Sequence, residues 1–399
     1  MKLLTFSTLY PNSERPQHGI FVETRLRHLL ASGSAQSRVV APVPWFPLRH
    51  PRFGYYAACA RAPAEEERQG ISIVHPRYPL IPKFGMSSAP VMLAVATLNT
   101  LKRMLRNGYD FDLIDAHYFY PDGVAAVILG RILSKPVTIT ARGTDINLIP
   151  RYPLPRQVIR WAARHAAGVI AVCQALKGAI VRLGIPENKV TVLRNGVDLE
   201  LFYPLPRDVE RKRLGLTKPI LLCVGHLVER KGHDIAIRAM TKLPECELMI
   251  IGEGEEEQRL KALSSSLGVA DRVRFLGAIP QQELKRFYSA ADALVLCSSR
   301  EGWANVLLEA MACGTPVIAT AVWGTPEIVA SSEAGVLMQE RSPKALVTSV
   351  RALLANCPDR SATRHYAEQF GWESTTRGQL ELFSEILERT STNPKCLSV

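Results

Sequence analysis

The 399-residue chain has no Cys-x-x-Cys, no low-complexity tract and no short-period repeat. Its longest apolar stretch, Ala89 to Leu98, falls well short of the 18 or so residues that a membrane span requires. The eight cysteines (Cys59, Cys173, Cys223, Cys246, Cys297, Cys313, Cys357 and Cys396) lie far apart, with no adjacent histidine pair. A zinc finger and a disulfide scaffold are thereby disfavoured, and the thiols read as reduced and mostly buried. Aromatic residues make up only 7%, and none is interleaved with basic residues in a recognised nucleic-acid module. Acidic residues are also scarce: 37 Asp and Glu face 49 Lys and Arg, a formal charge of +12. Such a balance calls for an anionic partner, of which nucleic acid is demoted and a membrane surface or a phosphorylated substrate remains. The deficit of acid is local, because residues 1–205 hold 25 basic and 13 acidic side chains whereas residues 206–399 hold 24 of each.

What is present is globular. Apolar residues make up 47% and charged residues 22%, which excludes disorder, collagen and coiled coil. The length suits two domains, each able to bury a core. The opening apolar run, Met1 to Tyr10, stops at Pro11-Asn12-Ser13 and is too short for a signal-peptide core. It reads as a first strand, and the chain as a cytoplasmic protein. Short β-branched runs then alternate with helical patterns, and strands are expected at 2–8, 37–41, 71–75, 113–116, 137–140, 168–172 and 190–193. Arg194-Asn195-Gly196-Val197-Asp198 is turn chemistry, and Pro204 and Pro206 break any regular element. The rhythm restarts with strands expected at 220–224, 247–251, 272–276, 293–296, 316–319 and 335–338. The fold class is therefore α/β, with doubly wound domains over residues 1–205 and 206–372. A last helix, about 373–399, is expected to pack back on the first domain. Open sheets of this kind take ligands beyond the carboxyl ends of their strands.

The most specific constellation is Glu301-Gly302-Trp303-Ala304-Asn305, continuing through Glu309 to Gly314-Thr315-Pro316. Two carboxylates bracket a glycine turn and the start of an apolar helix, where they can accept hydrogen bonds from several hydroxyls. Upstream, Gly225-His226-Leu227-Val228-Glu229-Arg230-Lys231-Gly232 follows a strand and ends in cations suited to a phosphate. His117 closes Asp115-Ala116-His117 ahead of Pro121-Asp122-Gly123, and Asp145 closes Thr140-Ala141-Arg142-Gly143-Thr144-Asp145. His18-Gly19-Ile20-Phe21-Val22 lies near the start, and Asn195-Gly196-Val197-Asp198 at the hinge.

Together these segments resemble the motifs of the retaining glycosyltransferases of family 4 (group 1). The resemblance implies a GT-B fold, two Rossmann-like domains facing a central cleft. It implies transfer of a sugar from a nucleotide-diphosphate donor to an acceptor hydroxyl with retention of configuration, and no metal or other cofactor. By the same resemblance His117, Glu301 and Lys231 are catalytic, and Gly19, Arg230, Lys231, Glu301, Asn305 and Glu309 bind the donor, with Glu309 on the ribose. Arg142 and Asp145 lie on the acceptor side, although Asp145 reads equally well as a helix cap. The family's usual arginine five residues before the lysine is replaced by His226, which leaves Arg230 as the second cation.

Two other segments imitate motifs. Gly252-Glu253-Gly254 lacks a third glycine and is crowded with glutamate, and Asp110-Phe111-Asp112 precedes its strand, at the wrong end of a sheet for a metal site. The entry segment and the Arg142 loop look most like bacterial surface-polysaccharide enzymes of the teichuronic-acid type. Arg156, Arg160 and Arg164 recur every four residues beside Arg151 and Trp161. With Lys102, Arg103, Arg106, Trp45, Phe46, Arg49 and Arg52 they could dock on anionic lipid headgroups. A catalytically silent nucleotide-sugar scaffold, or another enzyme of the same architecture such as a nucleotide-sugar epimerase, stands as the alternative.

Overall fold

The structure, a computed structural model, describes residues 1–80 and 85–392. Cys396 and the end of the expected C-terminal helix lie outside the described residues. The chain divides into two compact units, Met1–Arg194 with Glu373–Val399, and Asn195–Trp372.

The division differs from the expected break at 205/206, and packing explains why. Val197 N donates to Phe370 O, Phe202 is buried with its ring 6.0 Å from that of Tyr288, and Gly196 backs onto Trp372. Residues 195–205 are thus tied into the second unit. The crossing is the Arg194-Asn195 turn, and the prolines merely lead into helix Arg207–Arg213.

The first unit holds β1 (Lys2–Phe6), β2 (Gln36–Val40), β3 (Val43–Pro44), β4 (Glu65–Arg68), β5 (Ile71–Val74), β6 (Arg77–Tyr78), β7 (Leu113–His117), β8 (Val137–Ala141), β9 (Gly168–Ala171) and β10 (Val190–Val192). Eight of them form one sheet in the order β10-β9-β8-β7-β1-β2-β5-β4, parallel except for β4, while β3 and β6 pair separately. Every residue of β7, β8 and β9 is buried, as expected where helices cover both faces, including the polar Asp115, His117, Thr138 and Thr140. Helix Glu373–Thr392 closes one face, placing Phe383 and Ile386 in the core with Leu3, Leu26 and Ile170.

The second unit holds β11 (Ile220–Val224), β12 (Glu247–Ile251), β13 (Val273–Phe275), β14 (Ala293–Leu296), β15 (Val317–Thr320) and β16 (Gly335–Met338), all parallel, in the order β13-β12-β11-β14-β15-β16. The chain winds outward from β11 on one side and then from β14 on the other. The winding reverses between those two strands, where loops diverge above the carboxyl edge and leave room for a ligand. In the first unit the corresponding reversal lies between β1 and β7.

Candidate active site

In the second unit the loops after β11 and β14 meet at the reversal point. Gly232 has φ +70°, and a Cβ there would stand 2.2 Å from the Cys297 carbonyl oxygen, so only glycine lets the two loops touch. Ser299 N donates to Arg230 O at 2.8 Å, and Arg341 Nε donates to Cys297 O at 2.8 Å. These ties hold Lys231 against Glu301, with Nζ 2.6 Å from Oε1. Ser298 Oγ donates to the same oxygen at 2.6 Å, and Arg230 Nη1 stands 3.8 Å away. Glu301 is 8% exposed. Burial alone would raise its pKa, but the Lys231 charge and the hydrogen bonds from Lys231 and Ser298 hold the carboxyl below its usual range.

Glu309 lies on helix Asn305–Ala312, also 8% exposed. It accepts from Tyr288 Oη at 2.8 Å and Gln281 Nε2 at 3.3 Å, while burial raises its pKa. Asn305 opens that helix, its Oδ1 accepting from Asn195 Nδ2 at 3.3 Å. His226, the departure from the family pattern, is exposed. Gly252 packs on Gly225, whose carbonyl oxygen would lie 2.0 Å from an added Cβ. The Gly252-Glu253-Gly254 loop therefore supports the site through its backbone.

The first unit gathers a chain of buried polar groups at the carboxyl end of β7. Arg142 Nη2 lies 2.6 Å from His117 Nδ1, and His117 Nε2 lies 3.2 Å from Asp115 Oδ2. Gln379 Nε2 donates to Asp115 Oδ2 at 3.2 Å, and Arg25 donates to Gln379 Oε1 and to Leu193 O. Arginine only donates, so His117 Nδ1 accepts and Nε2 carries the proton toward Asp115. Burial, aided by the Arg142 charge, lowers the His117 pKa to about 4 against the pull of Asp115, which makes the ring neutral at pH 7. Tyr118 follows with φ +82°, a strained conformation for a bulky residue at the mouth of the strand.

Three of the expected site residues are engaged within the first unit. His117 is only 1% exposed with both ring nitrogens engaged, Nδ1 by Arg142 and Nε2 by Asp115. The Arg142 guanidinium reaches that ring and lies over Phe21, 5.4 Å from the ring centroid. Asp145 is fully buried and accepts from the backbone amides of Phe119, Arg142 and Gly143 at 2.7, 3.1 and 2.7 Å. Its role is to fold the loop, because a carboxylate holding three amides has little capacity left for a ligand. Gly19, at φ +69°, also serves the backbone: a Cβ would stand 2.3 Å from Leu9 O as helix Ile20–Ala31 begins.

Sequence reasoning missed Ser298, Tyr288, Gln281, Arg25 and Gln379. Of these only Ser298 carried a signal, being a hydroxyl two residues past the end of a strand at the ligand edge. Asp110 and Asp112 sit before β7, paired with Lys135 Nζ and the Lys2 amide. Among the described residues no three His, Cys, Asp or Glu side chains group as metal ligands, and no helix is long and apolar enough to cross a membrane.

Comparison with known proteins adds to this geometry. Residues 206–370 match the family model of glycosyl transferases group 1, and residues 52–201 match that of glycosyltransferase family 4. The chain is 30% identical over 307 residues to a GDP-mannose-dependent alpha-(1-6)-phosphatidylinositol monomannoside mannosyltransferase of Mycolicibacterium smegmatis, covering 72% of this chain and 80% of that one. It is 29% identical over 359 residues to the putative teichuronic acid biosynthesis glycosyltransferase TuaC of Bacillus subtilis, covering 88% of each. Among solved structures, sucrose-phosphate synthase from Thermosynechococcus elongatus superposes with a TM-score of 0.79 at 22% identity, over 97% of this chain and 99% of that one. HepE of Anabaena in complex with UDP superposes at 0.73 and 21%, over 96% and 100%. At such identities the likeness speaks for the fold, which is GT-B.

Proposed function

We infer the function from one premise: the chain belongs to the group 1 glycosyl transferases of family 4 and is a glycosyltransferase of glycan assembly. On that premise the second unit binds the donor, a sugar carried on a nucleoside diphosphate. The observation that carries this reading is the Lys231–Glu301 pair, set 2.6 Å apart where the winding of the sheet reverses. A departing diphosphate gains negative charge as the C1–O bond lengthens, and Lys231 with Arg230 meets that charge. Glu301, drawn toward Lys231, accepts from donor-sugar hydroxyls, and Glu309 accepts from the ribose. The solved HepE complexes with UDP and UDP-glucose, and the GDP-mannose-dependent relative, support a nucleotide-sugar donor without fixing its base.

The reaction proceeds with retention. The acceptor oxygen bonds to C1 on the face the phosphate leaves, and the acceptor proton passes to the departing phosphate oxygen. No protein nucleophile or metal is invoked. His117 acts as a positioning residue for Arg142. The first unit, with its basic excess, takes the acceptor and rests against an anionic membrane surface where that acceptor is lipid-linked. Incubation with labelled UDP-, GDP- and ADP-sugars, with and without saccharide and lipid-phosphate acceptors, tests this. An α-anomeric product from an α-donor supports the reading, whereas an inverted product, or turnover without an acceptor to a rearranged nucleotide sugar, contradicts it.

A further inference from the structure

We propose that a cavity in the first unit, between helix Pro153–His165 and helix Gln174–Arg182, is a phosphate site that holds the phosphate or diphosphate group of the acceptor. The cavity has a volume of about 490 Å³ and is lined by Arg151, Arg156, Arg160 and Arg182 together with Ile146 and Gly184, and by no carboxylate. None of the four arginines forms an ion pair with a described residue. Elsewhere in the same unit Arg61, Arg68 and Arg103 are each matched by a glutamate. Four uncompensated like charges around one hollow repel one another, and an anion that enters relieves the repulsion.

The charges are held at the hollow by backbone contacts, and Arg156 Nη2 reaches Arg151 O at 3.4 Å. Arg156 donates through Nε to Pro150 O at 2.7 Å, which fixes the fork through a neutral carbonyl and leaves its charge intact. Arg160 is one helical turn further on, and its Nε is buried without a partner. Gly184 has φ +87°, and an added Cβ would stand 3.5 Å from Arg160 Nη2, so the turn after the second helix brings its backbone close to that guanidinium. Arginine forks recognise phosphate oxygens bidentately, which lysine does not. Ile146 and Arg151 belong to the connection that leaves the carboxyl edge of β8, the edge at which open sheets place ligands. The assignment to an acceptor rests on reading the first unit as the acceptor side, whereas phosphate binding itself does not.

Titration calorimetry with inorganic phosphate and pyrophosphate tests the site. It is done on the full chain carrying Lys231→Ala, so that the second unit contributes little to pyrophosphate binding. Adding Arg160→Gln and Arg182→Gln is expected to weaken binding at least tenfold with no change in thermal midpoint. A parallel arm sediments the same proteins with phosphatidylglycerol vesicles against phosphatidylcholine vesicles. Arginine-dependent binding of pyrophosphate assigns a soluble or carrier phosphate. Arginine-dependent binding to phosphatidylglycerol alone assigns a lipid headgroup. Binding in neither arm, or binding indifferent to the two substitutions, overturns the site. Failure of the transferase reading would show separately, as absence of nucleotide-sugar binding by the unsubstituted chain.

Discussion

Removing the Lys231 ammonium strands a buried carboxylate, which makes this pair the most sensitive point at the residue scale. With Lys231 present the Glu301 pKa is depressed, so its contribution to stability exists above the ordinary value of 4.5 and is lost as pH falls through the lower folded value. In Lys231→Ala burial dominates and the sign reverses. That variant should lose more thermal stability at pH 7 than at pH 4, and its kcat should fall about 10²–10³-fold. Asp122 is a second case. It accepts from Thr8 N at 2.7 Å and Thr8 Oγ1 at 2.9 Å, yet burial raises its pKa from 3.8 to about 7. The native state therefore holds a proton there, and the resulting stability is full below 3.8 and lost as pH rises through 7. His117 acts oppositely, contributing above 6.5 and losing its contribution as pH falls through about 4. Asp122→Asn should unmask the histidine, so that the thermal midpoint drops more steeply on acidification from 6.5 to 4 than in the unsubstituted chain. Superimposable profiles would remove Asp122 from the account.

At the scale of elements, glycines set the contacts between loops and one helix closes a core. Gly232→Ala combines a left-handed φ with a 2.2 Å approach to Cys297 O, and should cost the second unit about 1–3 kcal/mol in denaturant unfolding while weakening nucleotide-sugar binding. Phe383→Ala opens a void under helix Glu373–Thr392 and should destabilise the first unit by about 3–5 kcal/mol, with the second unit's transition unmoved. The strands were legible because doubly covered parallel strands write themselves as apolar runs, and β11, β12, β14 and β16 match their expected bounds. Strand β4 was not, since Glu65-Glu66-Glu67-Arg68 is a charged edge strand and its pairing with β5 leaves no apolar signal. Among site residues, Lys231, Glu301 and Glu309 could be found because each sits in a compact local motif. Arg25 and Gln379 could not, because the bond that defines them spans 354 positions. His117, Arg142 and Asp145 could be placed at strand ends, but not their partners: sequence places a residue at a strand end without saying which neighbours claim its side chain.

For the whole molecule, the charge follows the structural units more sharply than the sequence break suggested. The first unit, Met1–Arg194 with Glu373–Val399, carries 28 Lys and Arg against 15 Asp and Glu, and the second carries 21 against 22. Attraction to an anionic surface should reside in the first unit and fade with salt, because exposed charges are screened over about 8 Å at physiological ionic strength. Sedimentation with phosphatidylglycerol vesicles at low and high salt checks this, and salt-independent binding would point to apolar insertion around Trp45, which is 57% exposed. In the other unit, the Lys231–Glu301 pair is the proposed anchor of a diphosphate-linked sugar. Its most direct test is calorimetric titration of UDP-, GDP- and ADP-sugars into the unsubstituted chain and into Lys231→Ala. Binding of at least one donor class that weakens about tenfold to a hundredfold on loss of the lysine is the predicted result. Binding of none, or equal binding by both proteins, would contradict it.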